Sequence, residues 1–289
     1  MERANSKEAF HSIYTSAQLN TNEQLSDLQM SQALSTFPMT FENPAECYQH
    51  HLFLRRRRAS GMGIRTSTNE FWMSPALARY ANSGVSGMVI LKGAFTARSA
   101  LQDFGIDVIQ ALSTHKTPTF WALPSIGKTP VGSAAAIDRT TSSLIKCLTY
   151  QALSMSGAAK TEKQMVMRCS QFQTAKTPKE WLDIFKQVVT TLRGPVYLVI
   201  DLAMACLSAE EAEEFNFIQE LRDALGQFTA PKVKVILLLY EMDWFKLVPR
   251  EVAGSVVTVK KARLKRPQSR AMGNAVRTGR SFPVCRARR

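Results

Sequence analysis

The fold is decided by residues 87–99, which read Gly87-Met-Val-Ile-Leu-Lys-Gly93-Ala-Phe-Thr-Ala-Arg98-Ser99. The apolar run between the two glycines is typical of a strand that is buried on both faces of a parallel sheet. A helix is predicted after Gly93, because the apolar residues there are spaced so that they share one helical face. These residues are Phe104, Val108, Ile109 and Leu112. A buried strand that leads directly into such a helix predicts the repeating unit of an α/β fold.

Strands and helices continue to alternate after this stretch. Further strands are predicted at 119–123, 196–200, 233–239 and 255–259, and a helix at 138–155. Two capping boxes predict further helix starts, at Thr177-Pro178-Lys179-Glu180 and at Ser208-Ala-Glu-Glu211. The alternation predicts an α/β fold in three layers, with about five parallel strands covered by helices on both faces.

The composition divides the chain into four regions. We expect a flexible N-terminal region at 1–45, a helical and basic lead-in at 46–75, the α/β domain at 76–260 and a basic disordered tail at 261–289. The chain has 289 residues, of which 45% are apolar, so it can bury one sizeable core. Lys260–Arg289 holds eleven Lys or Arg and no acid, which leaves only +3 of the net charge of +14 to the other residues.

Several classes of protein are disfavoured by composition. No apolar run is long enough to cross a bilayer, and residues 1–30 lack the pattern of a signal peptide. The five cysteines are scattered and form no CxxC pair, so we expect reduced, mostly buried thiols and no metal site. His50-His51 is interpreted as part of a solvent-facing helix. We therefore expect an intracellular protein, of the nucleus or cytoplasm, without a membrane partner.

The turn after Gly93 has the position of a phosphate-binding P-loop. Such a loop needs glycines whose backbone N–H groups surround phosphate, a Lys for the phosphates and a Ser or Thr for Mg²⁺. Here a second glycine is absent and Phe95 adds bulk. If the loop is one residue short, Arg98 and Ser99 take the Lys and Ser positions, although a planar guanidinium does not reproduce a compact ammonium. An ordinary strand-to-helix turn is the alternative.

A literal P-loop match lies elsewhere, at Ala122-Leu-Pro-Ser-Ile-Gly127-Lys128-Thr129. Pro130 removes an N–H group where the first turn of a helix would point donors at phosphate. A surface loop that contains these residues by chance is the alternative interpretation.

The third predicted strand ends in Asp201, the position of the Walker B aspartate that holds the metal ion in P-loop NTPases. The carboxyl ends of strands are where open α/β sheets bind ligands. Asp201 could equally cap a turn.

The order of these blocks resembles the P-loop domain of fungal STAND-type (NACHT-like) proteins over roughly residues 46 to 260. The matching blocks are 71–75, 88–98, 103–105, 120–123, 144–153, 197–201 and 234–240. In active members of that family the third strand ends Asp-Ala-Leu-Asp-Glu-Cys, and an Arg follows the fourth strand. Here Met204 and Ala205 replace both later acids, and Tyr240-Glu241-Met242 replaces the Arg segment. The resemblance therefore implies the fold and argues against hydrolysis.

From these observations we expect a non-catalytic P-loop-like interaction or scaffold module with no cofactor, an unknown protein partner, and a vestigial nucleotide site at Gly93, Arg98, Ser99 and Asp201. One alternative is residual binding of ATP or ADP with Mg²⁺, with weak ATPase activity, at that site or at Lys128 and Thr129. Another is non-specific nucleic-acid binding through 260–289, although a nuclear-import signal or a solvated tail fits that composition as well. Arg57-Arg58-Ala59-Ser60 also resembles a site for a basophilic kinase.

Overall fold

The computed structural model describes residues 31, 34–62, 69–124, 138–155, 169–206, 214–240, 242–248 and 255–259. Its helices are α1 (Pro44–Met62), α2 (Asn69–Trp72), α3 (Pro75–Asn82), α4 (Arg98–Thr114), α5 (Thr141–Ser154), α6 (Pro178–Val189), α7 (Phe217–Gln227) and α8 (Met242–Lys246). Its strands are β1 (Gly87–Gly93), β2 (Thr119–Ala122), β3 (Val196–Asp201), β4 (Val233–Leu239) and β5 (Val256–Val259). The predicted literal P-loop at Lys128 and Thr129, the capping box at Ser208 and the basic tail lie outside the described residues.

The five strands form one parallel sheet in the order β2-β3-β4-β1-β5. The strand β4 therefore lies between β1, which leads to the predicted phosphate loop, and β3, which ends in Asp201. This confirms the predicted three-layer α/β fold. This order brings the ends of β1, β4 and β3 together at one edge of the sheet.

Alternate residues of each strand point to opposite faces of the sheet and enter two separate cores. On one face, Ile90 and Leu237 pack with apolar residues of α5, α6 and α7. On the other face, Leu91 and Leu238 pack with α4 and with parts of α1, α2 and α3. All seven positions of β4 are buried, as expected for a central strand that is covered on both sides.

Helix α6 starts where its capping box predicts. Thr177 Oγ1 accepts from the Glu180 N–H at 3.3 Å, and Glu180 Oε2 accepts from the Thr177 N–H at 2.9 Å. Helix α7 starts at a different cap: Asn216 Oδ1 accepts from the Gln219 N–H at 3.2 Å. Phe215 precedes this helix and is buried.

Part of the predicted flexible N-terminal region is packed. Phe37 and Phe41 are buried in the core that contains α5 and α6, and the Phe37 ring lies 5.0 Å from that of Phe172 and 5.7 Å from that of Trp181. Phe37 and Phe41 of this region are therefore packed against the α/β domain. The sequence pattern did not predict the burial of these two phenylalanines. They lie in an irregular segment and do not form the continuous apolar face from which a buried helix is recognised.

Candidate functional site

The candidate site lies at the carboxyl ends of β1, β4 and β3. Gly93 ends β1, Asp201 ends β3, and Tyr240 directly follows β4. Because β4 is the middle strand of the three, Tyr240 lies between the other two ends. The topology therefore brings the predicted Gly93, Arg98 and Asp201 to one edge of the sheet, where α/β folds bind ligands.

The turn from β1 to α4 is short and uses its own backbone donors. A single 3₁₀ turn at Phe95–Ala97 separates Ala94 from the first residue of α4. Within it the Ala97 N–H donates to Ala94 O at 2.7 Å, and the Arg98 N–H donates to Phe95 O. A P-loop directs such N–H groups at phosphate, so these two donors are already occupied in this turn.

Asp201 is the centre of a buried hydrogen-bond network. Its side chain is 0% exposed, and Oδ2 accepts from Tyr240 Oη at 2.8 Å and from Gln102 Nε2 at 3.1 Å. The other oxygen, Oδ1, accepts from the Ala203 N–H at 3.1 Å. Gln102 Nε2 also donates to Tyr240 Oη at 3.1 Å, which closes a triangle of three side chains. Three of the roughly four acceptor positions of a carboxylate are therefore occupied.

The electrostatics of this network are dominated by burial. Loss of hydration raises the pKa of Asp201 to about 6, although the hydrogen bonds from Gln102, Tyr240 and the Ala203 N–H and the charge on Arg98 all oppose the shift. Burial also raises the pKa of Tyr240 well above its ordinary value, and the adjacent Asp201 raises it further. Tyr240 therefore remains a hydrogen-bond donor over the physiological pH range.

Arg98 stacks over an aromatic ring of this site. Its guanidinium carbon lies 5.5 Å from the centroid of the Tyr240 ring and 5.9 Å from that of the Phe95 ring. A guanidinium over an aromatic face is held by cation–π attraction. Ser99, the fourth predicted site residue, is exposed in the first turn of α4. The structure thus brings three of the four predicted residues together and leaves Ser99 at the surface.

The chain that follows β4 covers the same edge of the sheet. Trp244 is 1% exposed, and its Nε1 donates to Ala205 O at 3.3 Å, four residues after Asp201. Lys92 Nζ lies 4.1 Å from the centroid of the Phe245 ring, which ties α8 to the end of β1. Asn216 Nδ2 donates to Leu247 O at 3.1 Å. We call residues 240 and 242–248 the covering segment.

Sequence reasoning missed two of the residues that define this site. Gln102 was overlooked, although it lies four residues after Arg98 and therefore on the same face of α4. Tyr240 was noted only as the replacement for an expected arginine segment. The available signal was that Tyr240 directly follows the buried strand β4. A tyrosine hydroxyl at a buried position needs a hydrogen-bond partner, which indicated a polar contact at this edge of the sheet.

His51 corrects the prediction of a solvent-facing histidine pair. The His51 side chain is 1% exposed, whereas His50 is exposed. His51 Nε2 donates to Pro124 O at 2.8 Å, and Nδ1 has no hydrogen-bond partner among the described residues. Burial lowers the pKa of His51, and the positive charges of nearby Arg58 and Arg98 also lower it. The ring fastens α1 to the chain just after β2.

The arginine run is part of α1, and two of its members form ion pairs with α4. Arg55 pairs with Asp107, and Arg58 pairs with Asp103, whose side chain is 1% exposed. Asp103 is next to Gln102, so the run supports the helix that holds the network. Ser60 also lies in α1, but its side chain is outside the described residues.

The thiols of the described region are reduced and differ in exposure. Cys47 and Cys147 are buried, Cys169 is half-buried and Cys206 is exposed, so the expectation of mostly buried thiols fails for Cys206. Within the described ranges, no three His, Cys, Asp or Glu side chains form a group that could hold a metal ion. In the same part of the chain, no helix has both the length and the apolarity to span a membrane.

The fold and this edge of the sheet define an α/β protein with a five-stranded parallel sheet. No protein-family model matches the chain, and no curated protein matches it. Among solved structures, the chain is similar to the Aeropyrum pernix ORC2 protein (ADPNP-ADP complexes), with 12% identity and a TM-score of 0.33. That match covers 63% of this chain and 43% of the other, so this chain spans less than half the length of that neighbour.

Proposed function

We propose that this chain is a non-catalytic P-loop-like domain that acts as an interaction or scaffold module. The observation that carries the proposal is the Asp201 network. An aspartate in the Walker B position must offer oxygen to Mg²⁺ or to its bound water. Asp201 is buried and accepts three hydrogen bonds from the chain itself.

The turn after β1 supports the same conclusion. Two of its N–H groups are bonded within the 3₁₀ turn, and Arg98 stacks on Tyr240 and Phe95. The covering segment lies over the strand ends, fixed by Trp244 and Phe245. In this arrangement the residues of the site do not fit a magnesium nucleotide, because the chain supplies partners to the groups that would bind one.

The proposed history is that of a nucleotide site replaced by internal contacts. The chain resembles fungal STAND-type domains in the order of its strand-end blocks, and we propose descent from such a domain. Tyr240 and Gln102 then bind the carboxylate of Asp201, which would face a metal ion in an active relative. The fold is retained because its two cores do not depend on the strand-end chemistry.

Thermal unfolding with and without 1 mM ATP or ADP and Mg²⁺ tests this proposal. A ligand that binds only the folded state with a Kd of about 10 μM adds roughly 2.7 kcal/mol at 1 mM. We expect no shift in the melting temperature. A clear shift would overturn the proposal, and Arg98→Ala compared with Lys128→Ala would then identify the loop that binds the phosphates.

The basic tail suggests a second, separate role. The eleven Lys or Arg of residues 260–289, without an acid among them, suit pairing with phosphates of a nucleic acid, and the single aromatic residue, Phe282, does not favour base stacking. We propose that this tail directs localisation or binds nucleic acid non-specifically. Binding to a 30-mer duplex should then weaken steeply as salt rises from 50 to 200 mM, on the order of tenfold or more, and vanish on deletion of 260–289. Binding that survives the deletion would place the interaction on the α/β domain instead.

A further inference from the structure

The strand β2 lies at one edge of the sheet formed by the described residues. Its inward peptide groups bond to β3: the Tyr197 N–H, for example, donates to Pro118 O at 2.9 Å. Since the peptide groups of successive residues point to opposite sides of a strand, those of Thr119 and Trp121 point away from the sheet. Such outward groups form a template on which the strand of another molecule can pair.

A side chain of α5 occupies the outward groups of Trp121. Gln151 Oε1 accepts from the Trp121 N–H at 3.1 Å, and Gln151 Nε2 donates to Trp121 O at 2.7 Å. One carboxamide thus makes both bonds that a residue on a neighbouring antiparallel strand exchanges in a hydrogen-bonded pair. The outward N–H and C=O groups of Trp121 are therefore already hydrogen-bonded and are not free to pair with another strand.

The carboxamide is held in the orientation that this pairing needs. Its Nε2 also donates to Cys147 O at 3.1 Å, one turn earlier on α5. Both of its N–H groups therefore have acceptors, and the oxygen faces the Trp121 N–H. The hydrogen bond to its own helix restricts the side chain, which lowers the entropy cost of its contact with β2.

Trp121 is fixed from the other side as well. Its Nε1 donates to Pro44 O at 2.9 Å, and its ring lies 5.3 Å from that of Tyr48. The start of α1 therefore packs on the side chain of the residue whose backbone Gln151 binds. Backbone and side chain of Trp121 are engaged by two different helices.

We infer that Gln151 is an edge-blocking residue, which keeps a second copy of this chain from adding its own β2 to the β2 edge. The second copy is the relevant partner because it supplies the same outward groups at the same spacing, and two β2 edges can pair antiparallel about a two-fold axis. Natural sheets commonly protect their edges with a covering helix or loop, or with charged side chains. The neutral carboxamide of Gln151 protects the edge by forming the hydrogen bonds that another strand would form.

Sedimentation equilibrium of the full chain tests the inference with three variants. Gln151→Ala removes the carboxamide without adding a large apolar group, and we expect its association constant to rise at least about tenfold over that of the natural protein. Gln110→Ala is the matched control, because Gln110 is exposed on α4 and its Oε1 accepts only a long bond of 3.4 Å from Arg55. It should associate as the natural protein does. Gln151→Glu can still accept from the Trp121 N–H and places a charge at the edge, so it should not associate more strongly.

Equal association of Gln151→Ala and Gln110→Ala would overturn the inference. So would equal association of Gln151→Ala and Gln151→Glu, because general loosening of α5 would then explain both. Amide exchange in the natural protein decides the matter if Gln151→Ala does not fold: the Trp121 amide should exchange at least about tenfold more slowly than the Thr119 amide. Similar exchange rates would mean that Gln151 does not protect the edge.

Discussion

Tyr240 Oη donates a hydrogen bond of 2.8 Å to Oδ2 of Asp201, across the carboxyl ends of two neighbouring strands. Asp201 therefore faces a tyrosine hydroxyl at the edge of the sheet where α/β folds bind ligands. The same tyrosine supports the stacked guanidinium of Arg98. Tyr240 therefore contacts both charged residues that were predicted for the site, Asp201 and Arg98.

The Tyr240 hydroxyl should contribute to stability, since Tyr240→Phe leaves a buried carboxylate with one partner fewer. Loss of a partner of a buried polar group costs about 1–3 kcal/mol. The control is Tyr80→Phe, because the Tyr80 hydroxyl is buried and has no hydrogen-bond partner among the described residues. Urea unfolding should show a loss for Tyr240→Phe and little change, or a small gain, for Tyr80→Phe. Equal effects would show that the Asp201 network contributes nothing specific.

Asp201 should make stability depend on pH in a direction unusual for a carboxyl group. Its pKa of about 6 in the folded protein lies above the value of about 3.9 in an unfolded chain. The folded state therefore binds the proton more tightly, so its contribution to stability is full below pH 4 and is lost as pH rises through 6. The free energy of unfolding of the natural protein, minus that of Asp201→Asn, should fall by about 2 kcal/mol between pH 4 and 7.

Urea titrations of both proteins at several pH values measure this difference. Other titrating groups are common to the two proteins and cancel in the subtraction. A difference that stays constant with pH would mean that Asp201 is ionised in the folded protein at the same pH as in the unfolded chain.

His51 should oppose folding at acid pH. Its folded pKa is lowered by burial, so the stability that it contributes is present above its unfolded pKa of about 6.5 and is lost as pH falls. Glutamine at this position can still donate to Pro124 O but does not titrate. His51→Gln should therefore lose less stability between pH 7 and 5 than the natural protein.

His50→Gln is the matched control for this prediction, because His50 is the exposed neighbour on the same helix. It should retain the acid sensitivity of the natural protein in the same unfolding experiment. If His50→Gln and His51→Gln respond alike, the burial of His51 is not the cause.

The two ion pairs between α1 and α4 should differ in strength. Asp103 is 1% exposed and Asp107 is 16% exposed, so removal of Arg58 leaves a more deeply buried carboxylate than removal of Arg55. Loss of one partner of a buried pair costs several kcal/mol, whereas exposed pairs contribute less than about 1 kcal/mol. Arg58→Gln should cost about 2 kcal/mol in chemical unfolding and Arg55→Gln under about 1 kcal/mol. The reverse order would contradict the assignment.

Gly105 is required by the close approach of α4 to the sheet. A Cβ at this position would lie 2.9 Å from Leu238 Cδ1 and 3.5 Å from Val199 Cγ1. Overpacking of a core costs about 1–3 kcal/mol. This cost exceeds the stabilisation of roughly 0.5–1 kcal/mol that replacing glycine with alanine gives within a helix. Gly105→Ala should therefore lower the melting temperature. Gly226→Ala, also in a helix but with nothing within 4 Å of the added Cβ, should raise it slightly.

The strands and helices were largely predictable because their signals are local. The βα unit at 87–112, the strand at 233–239 and the start of α6 follow from apolar runs and from a capping box whose partners are three residues apart. Each of these patterns lies within one segment, and a segment that buries one face has few alternatives. The parallel α/β fold follows from the alternation of such segments.

The site was predictable only in part, and only where a residue followed directly from the end of a strand. Gly93 and Asp201 were identified in that way, and Arg98 by its place at the start of α4. Their partners are far away in sequence: Gln102 is 99 residues from Asp201 and 138 from Tyr240. Local patterns cannot show which strands are neighbours, so they cannot show which side chains converge.

Sequence by itself therefore determined the type and order of the elements, since hydrophobic periodicity and capping act over a few residues. Tertiary structure alone decided that Asp201 accepts hydrogen bonds from Gln102 and Tyr240, that His51 is buried whereas His50 is exposed, and that Gln151 covers the edge of β2. Each of these outcomes depends on strand order and helix packing. Desolvation and hydrogen-bond geometry, which set the chemistry of these groups, exist only once distant segments have come together.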